Sequence, residues 1–89
     1  MNAALITGQL LDYISDAFYV SSVNDIKLDE SLIEQEVIDS MGLVEIVSFV
    51  ERRFGCRVAD DELNHENFGS VNRMVRFILA KTAVKAEAT

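Results

Sequence analysis

Three stretches of this 89-residue chain repeat apolar residues at the period of an α-helix, and the chain contains no proline to interrupt them. From Ala4 to about Tyr19, Ile6, Leu10, Ile14 and Phe18 recur every four residues, with Leu11 and Ala17 widening the stripe and Asp12 and Asp16 on the other side. That spacing predicts an amphipathic helix. A second stretch runs from Ser40 to Phe54, with Leu43, Ile46, Val47, Val50 and Phe54 facing inward and Gly55 placed as a left-handed C-cap. The third begins at Ser70 as N-cap and sets Val71, Met74, Val75, Ile78 and Leu79 against Arg73, Arg76 and Lys81. Strand alternation is almost absent. None of these helices can bury its stripe alone, so the expected fold is all-α, a small bundle.

The connections differ in length. Ser21, Ser22, Asn24 and Asp25 are turn and cap formers, so the first helix should end near Val20. The segment from Val20 to Val37 is long for a connection in a compact domain, and such segments are often functional. Ile26, Leu28, Leu32 and Ile33 are expected to pin it to the core, with room for one helical turn starting at Ser31. Beyond Gly55, Arg57-Val58-Ala59 reads as extended. Asp60-Asp61-Glu62-Leu63 reads as a single helical turn capped by Asp60, and Asn64 to Gly69 as a loop anchored by Phe68.

Composition narrows the function. Fifteen acidic and eight basic residues give a net charge of −7, which disfavours nucleic acid as a partner, since phosphate contact needs a basic face. An acidic surface instead steers a domain toward basic patches on other proteins. No apolar run approaches a membrane span, and Met-Asn-Ala-Ala-Leu-Ile lacks a basic leader, so cytoplasmic residence without membrane insertion is expected. Cys56 is the single cysteine and His65 the single histidine. The acidic group Asp60, Asp61, Glu62, His65 and Glu66 matches neither a calcium loop nor a zinc pattern, so no metal site is expected.

Asp39-Ser40 opens the second helix in an unusual way. With Asp39 as N-cap, its carboxylate can accept from the backbone N–H of Met41 or Gly42, while Ile38 and Leu43 take the two positions of a hydrophobic staple. The Ser40 hydroxyl is then left without a capping task on the first helical residue, where unpaired N–H groups and the helix dipole favour negative charge. A phosphate esterified there would be stabilised. Outside the core stripe, Met41, Val44, Glu45, Ser48, Glu51 and Arg52 share another side of the same helix. No catalytic constellation accompanies Ser40: the histidine is distant in sequence and no glycine-rich phosphate loop exists. Any chemistry at Ser40 therefore needs a base, a metal and a pocket from another protein.

Asp39-Ser40-Met41 followed by Val44-Glu45-Ile46-Val47 resembles the Asp-Ser-Leu motif and second helix of acyl carrier proteins and peptidyl carrier domains. Phe54 to Leu63 is similar to that family's connection between second and third helices, and Asn67-Phe68-Gly69-Ser70-Val71 to the entry of its fourth. The resemblance extends from about Leu5 to Lys81. It implies a four-helix bundle of three main helices plus a short third helix, with a long loop between helices 1 and 2. The chain's length fits one domain, so a single carrier domain over residues 1–89 is expected, folded from about 4 to 82, with an alanine-rich, charged tail at 83–89 expected to fray.

The resemblance further implies a 4′-phosphopantetheine group on Ser40, transferred from coenzyme A by a phosphopantetheinyl transferase that uses magnesium, with Asp39 in support. The chain would be a monomer and not itself an enzyme. It would hold an acyl or aminoacyl group as a thioester for a loading ligase and downstream synthases or transferases, in fatty-acid-like, polyketide or non-ribosomal-peptide-type biosynthesis. Met41, Val44, Glu45, Ser48, Glu51 and Arg52 would form the partner face. Three positions depart from the family pattern. Gly42 stands where a polar or acidic residue is common and is expected to loosen the first turn or admit a partner's backbone. Arg52 and Arg53 replace acids common in fatty-acid carriers, and Ala59 replaces a frequent proline. The alternative is a small helical adaptor without a prosthetic group, binding a protein through Met41 and Val44.

Overall fold

The computed structural model describes residues 2–87, with the side chains of Val23 and of residues 83–87 outside the description. Four α-helices follow one another: α1 (Ala3–Ala17), α2 (Ser40–Phe54), α3 (His65–Phe68) and α4 (Val71–Glu87), with single 3₁₀ turns at Val23–Asp25 and Asp60–Glu62. No strand occurs among the described residues. The all-α bundle of three long helices and one short one is the architecture expected from the sequence.

Each helix starts on a side-chain cap that satisfies one of the orphan N–H groups of its first turn. Asn2 accepts from Leu5 N–H at 2.9 Å, Asp39 from Gly42 N–H at 2.8 Å, Asn64 from Asn67 N–H at 3.0 Å and Ser70 from Arg73 N–H at 3.2 Å. Ile6, Leu10 and Ile14 of α1, Ile46 and Val50 of α2, and Val71, Met74 and Ile78 of α4 meet in one core, all fully buried. Phe68 fills the corner between α3 and α4 and packs on Phe77, the ring centroids 5.1 Å apart. Phe77 falls outside the five-residue stripe read from sequence. It is buried because α4 packs against both α1 and α3, so its apolar arc is wider than a one-sided helix needs.

The long connection is pinned to the bundle by backbone as well as by side chains. Leu32 N–H donates to Gly69 O at 3.0 Å and Asn72 N–H to Leu28 O at 3.1 Å, while Ile26 and Leu32 are buried. The expected turn at Ser31 is present: Gln35 N–H donates to Ser31 O at 3.0 Å, and the Ser31 hydroxyl accepts from Glu34 N–H at 3.2 Å. It stops after one turn because Glu36 adopts φ 63°.

Three expectations are corrected. The first helix ends at Ala17 rather than about Tyr19, because Tyr19 is left-handed (φ 58°); Phe18, assigned to the buried stripe, lies beyond the helix and is half-buried against α2. The short third helix is His65–Phe68, in the segment expected to be a loop, where Asn64 caps it by accepting from Asn67 N–H. Asp60 does not cap the preceding turn; instead the Glu62 carboxylate reaches back to Ala59 N–H at 3.0 Å. α4 runs from Val71 to Glu87, and residues 88–89 of the expected tail lie outside the described residues.

Candidate functional site

The first turn of α2 carries the site. Asp39 is extended (φ −107°, ψ −173°) and its carboxylate is committed to Gly42 N–H, so Ser40 is the first helical residue. Leu43 N–H closes the first helical bond onto Asp39 O at 3.2 Å. Ser40 is exposed, and neither its hydroxyl nor its backbone N–H makes a hydrogen bond within the described residues. The N–H of Met41 is likewise unengaged. A hydroxyl is thus presented to solvent beside two unpaired N–H groups at the positive end of the helix dipole, which suits an esterified phosphate.

Packing beneath this turn is tight. Gly42 is buried, and a Cβ there would meet Phe18 Cε1 at 2.9 Å, Ile38 Cβ at 3.1 Å and Phe18 Cζ at 3.2 Å. A side chain at this position would press on the Phe18 ring, which sits against the backbone and would have to shift. This corrects the expectation that Gly42 loosens the turn or admits a partner: its face belongs to α1's end. Phe18 is held in turn by Tyr13 edge-on at 6.3 Å, Tyr13 stacks on Phe49 at 4.1 Å, and Phe49 meets Phe54 edge-on at 6.1 Å. A ladder of four rings thus joins α1 to α2 along its length. Burial, followed by the Glu45 charge, pushes the Tyr13 phenol up from its ordinary value, so it stays protonated; its hydroxyl donates to Glu45 O at 3.4 Å.

Two depressions flank the turn. A broad open recess of about 800 Å³ has Ser40, Asp39, Met41 and Glu45 on the α2 side and Tyr19, Ile33 and Glu36 on the other. A smaller apolar crevice of about 150 Å³ lies between the long connection, α2 and α3, lined by Leu32, Ile33, Ile38, Leu43, Leu63 and Phe68. Ile38 and Leu43, the staple pair, both line it. His65 lies on this crevice and not on the recess that Ser40 faces, so it is no base for Ser40.

The residues grouped on the outer side of α2 are placed as follows. Met41 and Val44 are 74% and 51% exposed, unusual for large apolar side chains, and Glu45, Ser48 and Arg52 are exposed too. Arg52 Nε donates to Ser48 O at 3.3 Å. Glu51 is half-buried, and its carboxylate accepts from Val58 N–H at 2.9 Å, fastening the α2–α3 connection. Arg53 turns to α1 and donates to Gln9 Oε1 at 2.6 Å. Sequence reasoning missed Tyr19 and Glu36 at the recess; their left-handed conformation has no marker in residue type.

Residues 8–78 match the family model described as a phosphopantetheine attachment site. The chain belongs to that family. Its covalent prosthetic group is 4′-phosphopantetheine. Among curated relatives, the D-alanyl carrier protein of Streptococcus gordonii is 36% identical over 62 residues, 70% of this chain and 77% of that one. The D-alanyl carrier protein of Streptococcus sanguinis is 33% identical over 70 residues, 79% and 86% of the two chains. The D-alanyl carrier protein of Streptococcus thermophilus is 36% identical over 62 residues, again 70% and 77%. A solved structure described as an FAD-dependent dehydrogenase superposes with TM-score 0.65 at 20% identity, over 78% of this chain and 97% of that one. At that identity the likeness is one of fold alone. The carrier family, the helical bundle and the prosthetic group expected from the sequence are borne out. No helix among the described residues is long and apolar enough to cross a membrane.

Proposed function

We propose that Ser40 is the attachment point and that this carrier protein holds an aminoacyl or acyl group while other enzymes load and remove it. The single observation that carries the assignment is the division of labour at the start of α2: Asp39 takes the cap, leaving the Ser40 hydroxyl exposed and unbonded. The residues present fit the group. Its phosphate would sit on the N-terminal turn, near the free N–H groups of Ser40 and Met41, at a residue exposed on the recess.

In the attachment step Ser40 Oγ bonds to the phosphorus of coenzyme A that carries the pantetheine. The phosphoanhydride bond breaks, the adenosine bisphosphate half leaves, and the hydroxyl proton passes to a base on the transferase. Asp39 holds the turn in register through Gly42, and Phe18 fixes that turn against α1, so Oγ is presented without a search over backbone conformations. When bound, the group supplies a long arm ending in a thiol that carries cargo as a thioester. Tethering replaces a diffusing substrate by a local effective concentration.

The D-alanyl carrier relatives support a small aminoacyl cargo, activated by an AMP-forming ligase, over a long acyl chain. The confined crevice beside α3 is consistent with that choice: buried Phe54 and Phe68 already occupy the interior that a long chain would need. Met41, Val44, Glu45, Ser48 and Arg52 form the surface that the ligase and other partners meet. Glu51 contributes chiefly by holding Val58. Co-expression with a broad-specificity phosphopantetheinyl transferase, followed by intact mass measurement, tests the assignment. The wild type gains one phosphopantetheine unit and Ser40→Ala gains none; no gain by the wild type with several transferases overturns it.

A further inference from the structure

Two helical turns end at the recess beside Ser40, and each is closed by a backbone hydrogen bond from a residue to the carbonyl five positions earlier. At the end of α1, Phe18 N–H donates to Ile14 O and Val20 N–H to Ser15 O, each at 3.0 Å. In the long connection, Glu36 N–H donates to Ile33 O at 3.0 Å and Val37 N–H to Leu32 O at 3.1 Å. Both are left-handed closures, and each requires one residue at positive φ: Tyr19 at 58° and Glu36 at 63°. Glycine takes such a position without a Cβ clash, and Gly55 does so at the end of α2, φ 67°. Tyr19 and Glu36 bear the steric cost instead, although neither serves the core: Tyr19 is 92% exposed and Glu36 is exposed.

Both residues line the recess that Ser40 and Met41 also line. Its charged residues are Glu36, Asp39 and Glu45, with no lysine or arginine among its lining, and the ion pairs of the described residues lie elsewhere, at Lys27–Glu30 and Lys81–Glu62. The recess is therefore lined by apolar and acidic residues, and no ion pair among the described residues lies on it. Phe18, locked on Gly42, sets the adjacent Tyr19 at a fixed place beside the α2 turn. An enzyme that reaches Ser40 Oγ has to cover this recess.

We infer that Tyr19 and Glu36 form a second recognition edge, on the α1 side of Ser40, for the phosphopantetheinyl transferase, which meets it with an apolar socket for the Tyr19 ring and lysine or arginine opposite Glu36. This rests on Ser40 being the attachment point. Large aromatic side chains in a covered pocket dominate the energetics of such contacts, whereas exposed charges act mainly on association rate and salt dependence.

The backbone geometry supplies a fold-safe test. Tyr19→Gly and Glu36→Gly keep the left-handed conformation and remove only the side chains, and Tyr19→Asn provides a second ring deletion compatible with positive φ. Each full-length variant is incubated with coenzyme A and a broad-specificity transferase, and initial rates are read by intact mass, with melting temperature as the control. Tyr19→Gly and Tyr19→Asn are expected to lower kcat/KM about tenfold, chiefly through KM, at an unchanged or raised melting temperature. Glu36→Gly should lower it less and flatten its dependence on salt. Leu5→Ala, an exposed apolar deletion outside the recess, should modify like wild type. If both Tyr19 variants and Glu36→Gly retain wild-type kcat/KM, the edge does not exist. A wild type that is never modified refutes the attachment site itself, a different result.

Discussion

The starts of α2 and α4 place a serine within one residue of the same helical position, with opposite consequences. At α4, Ser70 is the N-cap: it is 3% exposed, and its hydroxyl accepts from Arg73 N–H at 3.2 Å. At α2, Asp39 occupies that position, and Ser40, one residue later, is exposed with its hydroxyl unbonded. A single step in register converts a structural hydroxyl into an available one. The acid at the cap is what makes the step possible, because it satisfies Gly42 N–H and leaves the serine nothing to do for the fold.

The sharpest way to break this comparison is to delete both hydroxyls. Ser40→Ala should lose modification completely while its stability stays within about 0.5 kcal/mol of wild type, as for surface substitutions away from structural features. Ser70→Ala should do the reverse, keeping modification and losing about 1 kcal/mol in denaturant melts. If Ser40→Ala destabilised as much as Ser70→Ala, the hydroxyl at α2 would be structural after all.

Next in size is the floor under Ser40. Gly42→Ala gains about 1 kcal/mol of helix propensity but forces a Cβ to within 2.9 Å of the Phe18 ring, and overpacking typically costs about 1–3 kcal/mol. A net loss of about 1 kcal/mol is expected by chemical denaturation. Phe18→Leu, which lacks the clashing ring atoms, should recover part of it in the double variant. A Gly42→Ala that is stabilising would mean that Phe18 moves aside freely.

Removing the acid that frees Ser40 separates stability from presentation. Asp39→Ala should cost about 1 kcal/mol, much as Ser70→Ala does. Only the Asp39 change should also slow modification, because only that cap orders the turn carrying the reactive hydroxyl.

The local grammar of these helix starts was legible in the sequence. The stripe Ile6, Leu10 and Ile14, the caps Asp39 and Ser70 and the left-handed Gly55 all depend on residues a few positions apart. What was not legible depends on distant partners or on competition between neighbours. Gly42 reads as a weak point until Phe18, twenty-four residues earlier in the chain, is seen against it. Asp60 reads as the cap of its turn until Glu62 is seen, whose carboxylate is shared between Ala59 N–H and Lys81 at 2.8 Å. Tyr19 and Glu36 escaped notice because positive φ in a residue other than glycine follows from the hydrogen bonds that close a turn and not from the residue itself.

The smallest expected effect lies at Glu62, which lines neither depression beside the Ser40 turn. The hydrogen bond from Lys81, then that from Ala59 N–H, holds the Glu62 carboxyl below its ordinary value of 4.5. As pH falls, the unfolded chain takes up this proton before the folded one, so the contribution is present above the ordinary value and is lost as pH falls through the folded value. Glu62→Gln should remove that share of the acid-side slope. The slope of melting temperature against pH below 4.5 should be slightly flatter than in wild type, with modification unaffected.

The most direct test of the central claim is where the prosthetic group lands. After modification by a transferase, proteolysis and fragment mass analysis should place the phosphopantetheine on Ser40 and leave every other serine, Ser70 included, unmodified. A group mapped to any other residue, or a chain that takes up none, would contradict the account.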